Sequence, residues 1–423
     1  MNQPDRIISL DQFRGYSVAG MFLVNFLGHF PVTHHVLKHN NTHFSYADSI
    51  MPSFILICGY SYRMTFLRRS VDSPASTIAI KKKYLLRSLG LILLSLMLFG
   101  FGGQIDNYSQ LSVATLASLL VQLVKANMWE VLSIIGACQI ILLPLIDRSL
   151  RTRVVALAVL AVTHVLLTWW FNWDFVYGLP NTLDSWLGTS GKRAWDGGFL
   201  GLLSWSEIMM VGTMLPDLIA GWGQQQRVTK LLKLGVALML FGYSASCLTR
   251  LYDKQTYVST TSDSAPHQHV ESANPGAPIF PKAFSPVLPD WQQLSRREWN
   301  SLFAEPPFVP PPPKEVREPN YWAMDKRIVS QSFVFFSAGF AILAYALFVR
   351  LGDEARLAFG PFTTFGQNPL AAYIIHHFVT DSLVAFFPKD SQMLWATLGM
   401  FLSMWITHTF VAFLSKRGLY LRL

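Results

Sequence analysis

Val329-Ser-Gln-Ser-Phe-Val-Phe-Phe-Ser-Ala-Gly-Phe-Ala-Ile-Leu-Ala-Tyr-Ala-Leu-Phe-Val349 carries no charged side chain over 21 residues. A helix rises about 1.5 Å per residue, so this stretch covers the ~30 Å hydrocarbon core of a bilayer. Nine other blocks read the same way: Phe13–Phe30, Ala47–Leu67, Ser88–Gly103, Trp129–Ile146, Val154–Phe171, Phe199–Trp222, Leu231–Leu248, Phe365–Phe386 and Leu394–Leu414. The expected fold is therefore all-α, a polytopic transmembrane helix bundle of about ten helices.

Composition agrees with lipid as the solvent. The chain of 423 residues is 51% hydrophobic and only 14% charged, against roughly a quarter charged in soluble proteins. The net charge of +9 does not point to nucleic acid, because the basic residues lie between apolar blocks. Such residues set topology and touch anionic lipid. With the N-terminus inside, the inner segments hold 20 of the 34 Lys and Arg, and the short outer loops hold five. Both termini are expected inside. Gln110–Lys125 would invert every later loop if it spanned, so it reads as an interfacial or re-entrant helix on the outer face. Cys58, Cys138 and Cys247 lie in apolar blocks and read as buried hydrophobes. The first apolar block lacks a cleavage pattern and stays as a helix. The bundle divides into residues 1–249, a Pro-rich outer loop over 250–327 with little core of its own, and C-terminal helices over 328–423.

Ionisable groups at membrane depth are costly and mark function by default. Asp11 and Arg14 open the first helix three residues apart and can pair; Gly15 admits a neighbouring helix. Asn25 and His29 share a face at its outer end. The loop that follows holds His34, His35, Lys38, His39 and His43, and Asp48 enters the second helix. The His spacing fits no zinc signature, so no metal is expected. An imidazole beside an acid suits a general base instead, the acid orienting one ring nitrogen. Asp196 opens the sixth span; Glu207 and Asp217 lie within it. Asn368, Tyr373, His376 and His377 form a polar stripe on the ninth.

Several of these stretches carry a family resemblance. Arg6-Ile-Ile-Ser-Leu-Asp11-Gln-Phe-Arg14-Gly15 with Met21-Phe-Leu-Val-Asn25 resembles the opening helix of the heparan-α-glucosaminide N-acetyltransferase family. Lys38-His39, Ala47-Asp48-Ser-Ile-Met-Pro52-Ser-Phe54 and Phe365-Gly366-Gln-Asn368-Pro-Leu-Ala-Ala-Tyr373 fit the same pattern. Trp195-Asp196-Gly197 and Asp325-Lys326-Arg327 do so too. The resemblance implies a membrane acetyltransferase that takes acetyl-CoA from the cytoplasm and acetylates a glucosamine amine on the far side. It maps the active-site histidine onto His39, with Asn25 and Asp48 as partners. The intervals around His39 depart from the family, the Trp-Asn-Gly after it is missing, and His43 competes for its role.

These readings lead to an acyltransferase that moves acetyl from acetyl-CoA to an amine or hydroxyl of an envelope or extracellular glycan. His39, Asp48 and Asn25 are expected to be catalytic. Arg14, Asp11, Lys81, Lys82, Lys83 and Arg87 are expected to hold the donor. His43, Asp196, Asn368, Tyr373 and His376 are expected to face the acceptor. The partners are the lipid bilayer, acetyl-CoA and a glycan, with no nucleic acid; a homodimer stays open. The expected location is a plasma or inner membrane. A permease lined by Asp11, Arg14, Glu207, Asp217 and His376–His377 is the alternative, and a structural subunit is the third.

Overall fold

The computed structural model describes residues 7–72, 77–100, 105–254, 285–291, 294 and 299–421. Its helices are α1 (Ile8–Leu27), α2 (Tyr46–Asp72), α3 (Thr77–Phe99), α4 (Val113–Gln122), α5 (Val131–Leu142), α6 (Leu150–Leu167), α7 (Trp173–Tyr177), α8 (Thr182–Leu187), α9 (Gly198–Ala220), α10 (Arg227–Cys247), α11 (Gln331–Phe348), α12 (Gly360–Gln367), α13 (Pro369–Val384) and α14 (Met393–Lys416). Among the described residues the fold is all-helical, apart from one isolated bridge between Asp253 and Arg317.

Among the described residues, six stretches are long and apolar enough to cross a bilayer: Tyr46–Val71, Leu150–Tyr177, Gly198–Ala220, Gln224–Tyr252, Gln331–Glu354 and Met393–Lys416. Val113–Asn127 and Val131–Leu142 pass together but bend by 88°, giving seven if they count as one span. The expected count of about ten is not confirmed among the described residues, and local chemistry shows why. α1 carries Asp11, Gln12, Arg14 and Asn25, and α3 opens on Lys81–Lys83 and Arg87. The block Phe365–Phe386 breaks at Asn368 between α12 and α13. The last residues of the block Ser88–Gly103 lie outside the described residues. The 88° bend joins α5 to the stretch expected to be interfacial or re-entrant.

α2, α9 and α11 form the centre, with most of their spanning windows buried, whereas α6, α10 and α14 present most of theirs outward. The outward side chains include Val155 and Val162 on α6, Trp170 in the turn that follows it, and Leu394, Phe401 and Trp405 on α14, a surface suited to acyl chains. α10 packs along α11, α2 along α9 and α1 along α12. Small residues bring backbones together, as membrane packing requires. A Cβ on Gly212 of α9 would lie 2.0 Å from the Leu56 carbonyl of α2, and one on Gly15 would lie 1.8 Å from the Phe362 carbonyl of α12. Gly15 thus admits the neighbour expected of it.

Contacts between helix ends define two faces. On one, Ser9 Oγ donates to Asp353 at 2.6 Å, Lys81 pairs with Asp147 at 2.8 Å, and Arg63 and Arg153 converge on Asp217. On the other lie His39 and the starts of α2, α9 and α11. The Pro-rich segment is pinned to this second face. Arg317 holds Asp253 and Glu305 at 2.5 Å each. Phe308 enters a cluster in which Phe44 meets Phe308 at 5.5 Å and Phe336 at 4.8 Å. The segment 250–327 is therefore a docked strap where it is described; residues 255–284, 292–293 and 295–298 lie outside the described residues.

Candidate active site

Ser45-Tyr46-Ala47-Asp48 starts α2 and shapes the site. Ser45 Oγ accepts from the Asp48 N–H at 3.2 Å and donates to Asp48 Oδ2 at 2.6 Å, an arrangement close to a capping box. The Asn40 N–H also donates to Oδ2, at 3.1 Å. His39 Nδ1–H donates to Asp48 Oδ1 at 3.0 Å. The carboxylate is fully buried, while the His39 side chain is 47% exposed. A buried carboxylate bonded this way selects one tautomer and leaves Nε2 of an accessible ring as a proton acceptor. Ser45 and the Asn40 backbone are part of the arrangement and were not singled out from sequence; the S-x-x-D spacing is the signal that marks Ser45.

His43 faces elsewhere. It is buried, its Nδ1 lies 3.2 Å from Thr42 Oγ1 and its Nε2 has no hydrogen-bond partner. It lines a cavity of only about 40 Å³ beneath the Pro-rich strap, beside Glu305, Arg317 and Met324. Burial lowers its pKa, partly offset by the Asp48 charge. Enclosure separates it from the role that His39 can fill.

Two family-like fragments about 130 residues apart in the chain meet at the same face. The Gly197 N–H donates to the Arg327 carbonyl at 2.6 Å, Asp196 pairs with Lys326 at 3.3 Å, and the Arg327 guanidinium lies 4.6 Å from the Trp195 ring centroid. Trp205 Nε1–H donates to the Asp196 carbonyl at 3.0 Å. Asp196 and Val329 adopt φ of +47° and +55°. Left-handed backbone at a β-branched residue costs free energy and persists where surrounding contacts enforce it, often at functional sites. Burial alone would lower the Lys326 pKa, but Asp196, Asp48 and Glu130 together raise it. The Asp48 contribution places Lys326 within electrostatic reach of the His39–Asp48 pair. Lys326 was quoted in sequence only as part of a motif and carried no assigned role.

The remaining expected residues separate. Asn25 Nδ2 lies 3.5 Å from His376 Nε2, and His376 Nδ1 lies 3.0 Å from Thr380 Oγ1. The His376 ring stacks on Phe22 at 4.1 Å. Asn25 thus engages His376 rather than His39. Tyr373 is buried, with its ring 4.8 Å from that of His377. Asn368 lies elsewhere. Its amide donates to the Leu419 carbonyl at 2.9 Å and its oxygen accepts from the Leu421 N–H at 3.1 Å. It lies next to Gly366, which touches Asp11 at the start of α1, so it ties the C-terminal segment on the face opposite His39.

On that opposite face Arg14 donates to Asp11 at 3.3 Å, to the Gly366 carbonyl at 3.0 Å and to Ser61 Oγ at 2.7 Å. These contacts join α1, α2 and α12. Lys81 is committed to Asp147. Lys82, Lys83 and Arg87 are exposed, and Lys83 and Arg87 line a cleft of about 390 Å³ with Arg69. The charges proposed for a solute pathway are paired as well: Glu207 accepts from Gln331 Nε2 at 2.8 Å, and Asp217 holds Arg63 and Arg153.

No curated protein matches the chain. A model of the heparan-alpha-glucosaminide N-acetyltransferase catalytic domain matches residues 6–247, which include His39, Asp48 and Asp196 but not Lys326 or Asn368. That match covers more than half of the sequence, and the chain belongs to the heparan-α-glucosaminide N-acetyltransferase family.

Proposed function

We propose that the protein transfers the acetyl group of acetyl-CoA across the membrane to an amine or hydroxyl of an envelope or extracellular sugar, with the Lys81 face cytoplasmic. The observation that carries this reading is the accessible His39 ring held by a buried, hydrogen-bonded Asp48, in a member of a membrane acetyltransferase family.

Acetyl-CoA is a substrate here. Lys82, Lys83, Arg87 and Arg69 supply cationic partners for its phosphates, and the pantetheine arm reaches toward the opposite face. His39 Nε2 takes the proton from the acceptor nitrogen or oxygen as that atom attacks the thioester carbonyl. The tetrahedral adduct collapses, the C–S bond breaks, and the thiolate leaves with the proton from the imidazolium. Asp48 keeps the base in its working tautomer. One Asn25 amide hydrogen engages His376, leaving the other to stabilise the developing oxyanion. Asp196, fixed by Lys326, orients the acceptor. In the covalent variant His39 itself carries the acetyl group between the two half-reactions.

The test is acetyl transfer from acetyl-CoA to glucosamine by the purified protein in proteoliposomes. Loss of a general base lowers the rate by about 10²-fold or more, so His39→Ala should show that loss and His43→Ala should not. Wild-type activity in His39→Ala would sink the assignment. A loss confined to His43→Ala would move the role there.

A further inference from the structure

An apolar cavity of about 440 Å³ opens on the His39 face between α4, the α6–α7 turn, α8 and the start of α9. Leu120, Val124, Phe171, Phe175, Leu187 and Phe199 line it. Lys125 also reaches its wall, its ammonium held by the buried Asp184 and the Thr189 carbonyl, 4.5 Å from the Phe175 ring centroid. On the other side of Lys125 a second cavity, of about 270 Å³, is lined by Gln122, Asn127, Lys192 and Arg193. The two cavities are therefore neighbours of opposite character, one greasy and one cationic. Trp170 and Trp186 stand exposed nearby, as aromatic side chains do at the headgroup level of a bilayer.

One short stretch links both cavities to the proposed acceptor site. Lys192-Arg193-Ala194-Trp195-Asp196-Gly197-Gly198-Phe199 runs from the cationic notch, through the Asp196–Lys326 pair, to the wall of the apolar cavity. Asp196 is three residues from Arg193 and three from Phe199. At about 3.3–3.6 Å per residue, each step spans at most about 10 Å, the scale of one sugar ring with its linkage.

The geometry points to an acceptor sugar carried on a single-chain polyprenyl phosphate. The chain enters the apolar cavity, the phosphate meets Lys192 and Arg193, and the sugar reaches Asp196. One apolar slot beside one cationic notch suits a one-chain lipid anion better than a two-chain glycerophospholipid. This inference rests on the acetyl-transfer reading for its acceptor, but the lipid site can be measured without it.

The experiment uses the full-length protein in nanodiscs of zwitterionic lipid. Binding of polyprenyl phosphate is compared with binding of phosphatidylglycerol, and acetylation of polyprenyl-phosphate-linked glucosamine with that of free glucosamine. Leu187→Trp fills the cavity, and the double variant Lys192→Glu/Arg193→Glu reverses the notch. Each should weaken polyprenyl-phosphate binding by about tenfold or more while leaving the free-glucosamine rate within about twofold. Should Leu187→Trp lose the free-glucosamine reaction as well, its fold is impaired and the charge-reversed variant decides. Wild-type protein that acetylates free glucosamine but binds polyprenyl phosphate no better than phosphatidylglycerol overturns the inference alone. Wild-type protein that binds polyprenyl phosphate tightly but acetylates neither sugar leaves the lipid site standing and removes the acetyl-transfer reading.

Discussion

Asp48→Asn separates two roles that the structure gives one side chain. Asp48 sits three residues into α2 beyond Ser45, where it helps to cap the helix, and it also accepts from His39 Nδ1 at 3.0 Å. Asparagine keeps an oxygen for the Ser45 hydroxyl and the Asn40 N–H, so the cap survives largely intact. A weakened cap costs about 1 kcal/mol. The negative charge facing the imidazole disappears, however, and with it a charge-assisted hydrogen bond of about 1.5–3 kcal/mol. At 1.36 kcal/mol per decade of rate, that predicts a loss of about 10- to 150-fold in kcat/KM. The exposure of His39 limits the loss, because water can replace part of the interaction. The assay is acetyl transfer to glucosamine, with thermal unfolding of the same preparation in detergent. Activity within about threefold of wild type, with an unchanged Tm, would refute Asp48 as the positioning residue. A lowered Tm with unchanged activity would reduce Asp48 to a helix cap.

Three further outcomes follow from the packing. Lys125→Met should destabilise the protein by about 3–5 kcal/mol, because it leaves the fully buried Asp184 without its cation; a fall in Tm checks this. Gly212→Ala places a methyl 2.0 Å from the Leu56 carbonyl and forces α2 from α9, at a cost of about 1–3 kcal/mol, again read as Tm. Burial lifts the Asp325 carboxyl from 3.8 to about 6, even though Tyr177 and the Arg327 N–H donate to it. The folded state then binds the proton more tightly than the unfolded chain. The Asp325 contribution to stability is fullest below about pH 4 and is lost as pH rises through 6, by about 3 kcal/mol in all. Asp325→Asn should flatten that slope in Tm measured from pH 4 to pH 7, and an unchanged slope would count against it.

Apolar block length made the helical bundle legible, since lipid leaves a long uncharged segment few alternatives. Span number was less legible, because α1 and α3 mix apolar faces with Asp11, Arg14 and Lys81–Arg87. Hydropathy averages over those residues, whereas the packed structure uses Arg14 and Lys81 as ties between segments and leaves Lys82, Lys83 and Arg87 exposed. His39 with Asp48 was readable because nine residues of local chain connect them. The contacts of Asn368 were not readable for the opposite reason: its partners, Leu419 and Leu421, lie more than 50 residues away, and a stripe on one helix does not say which end of the bundle it serves. Lys326 was overlooked for the same physical reason. Its partner Asp196 is brought to it only by the packing of α9 against α11.

The strained junction between those two segments also bears on how the site works. Asp196 and Val329 hold left-handed backbone, and the Gly197–Arg327 hydrogen bond spans them. None of these contacts is made within one helix, so each depends on the starts of α9 and α11 staying in register. Asp325 feeds the same junction through its bond to the Arg327 N–H. A shift of α11 along its axis would move Lys326 away from Asp196 and change the field at Asp48 in the same motion. The Asp196–Lys326 pair and the field of Lys326 at Asp48 therefore depend on one interface. That coupling explains why the two short motifs belong together even though the chain separates them by about 130 residues.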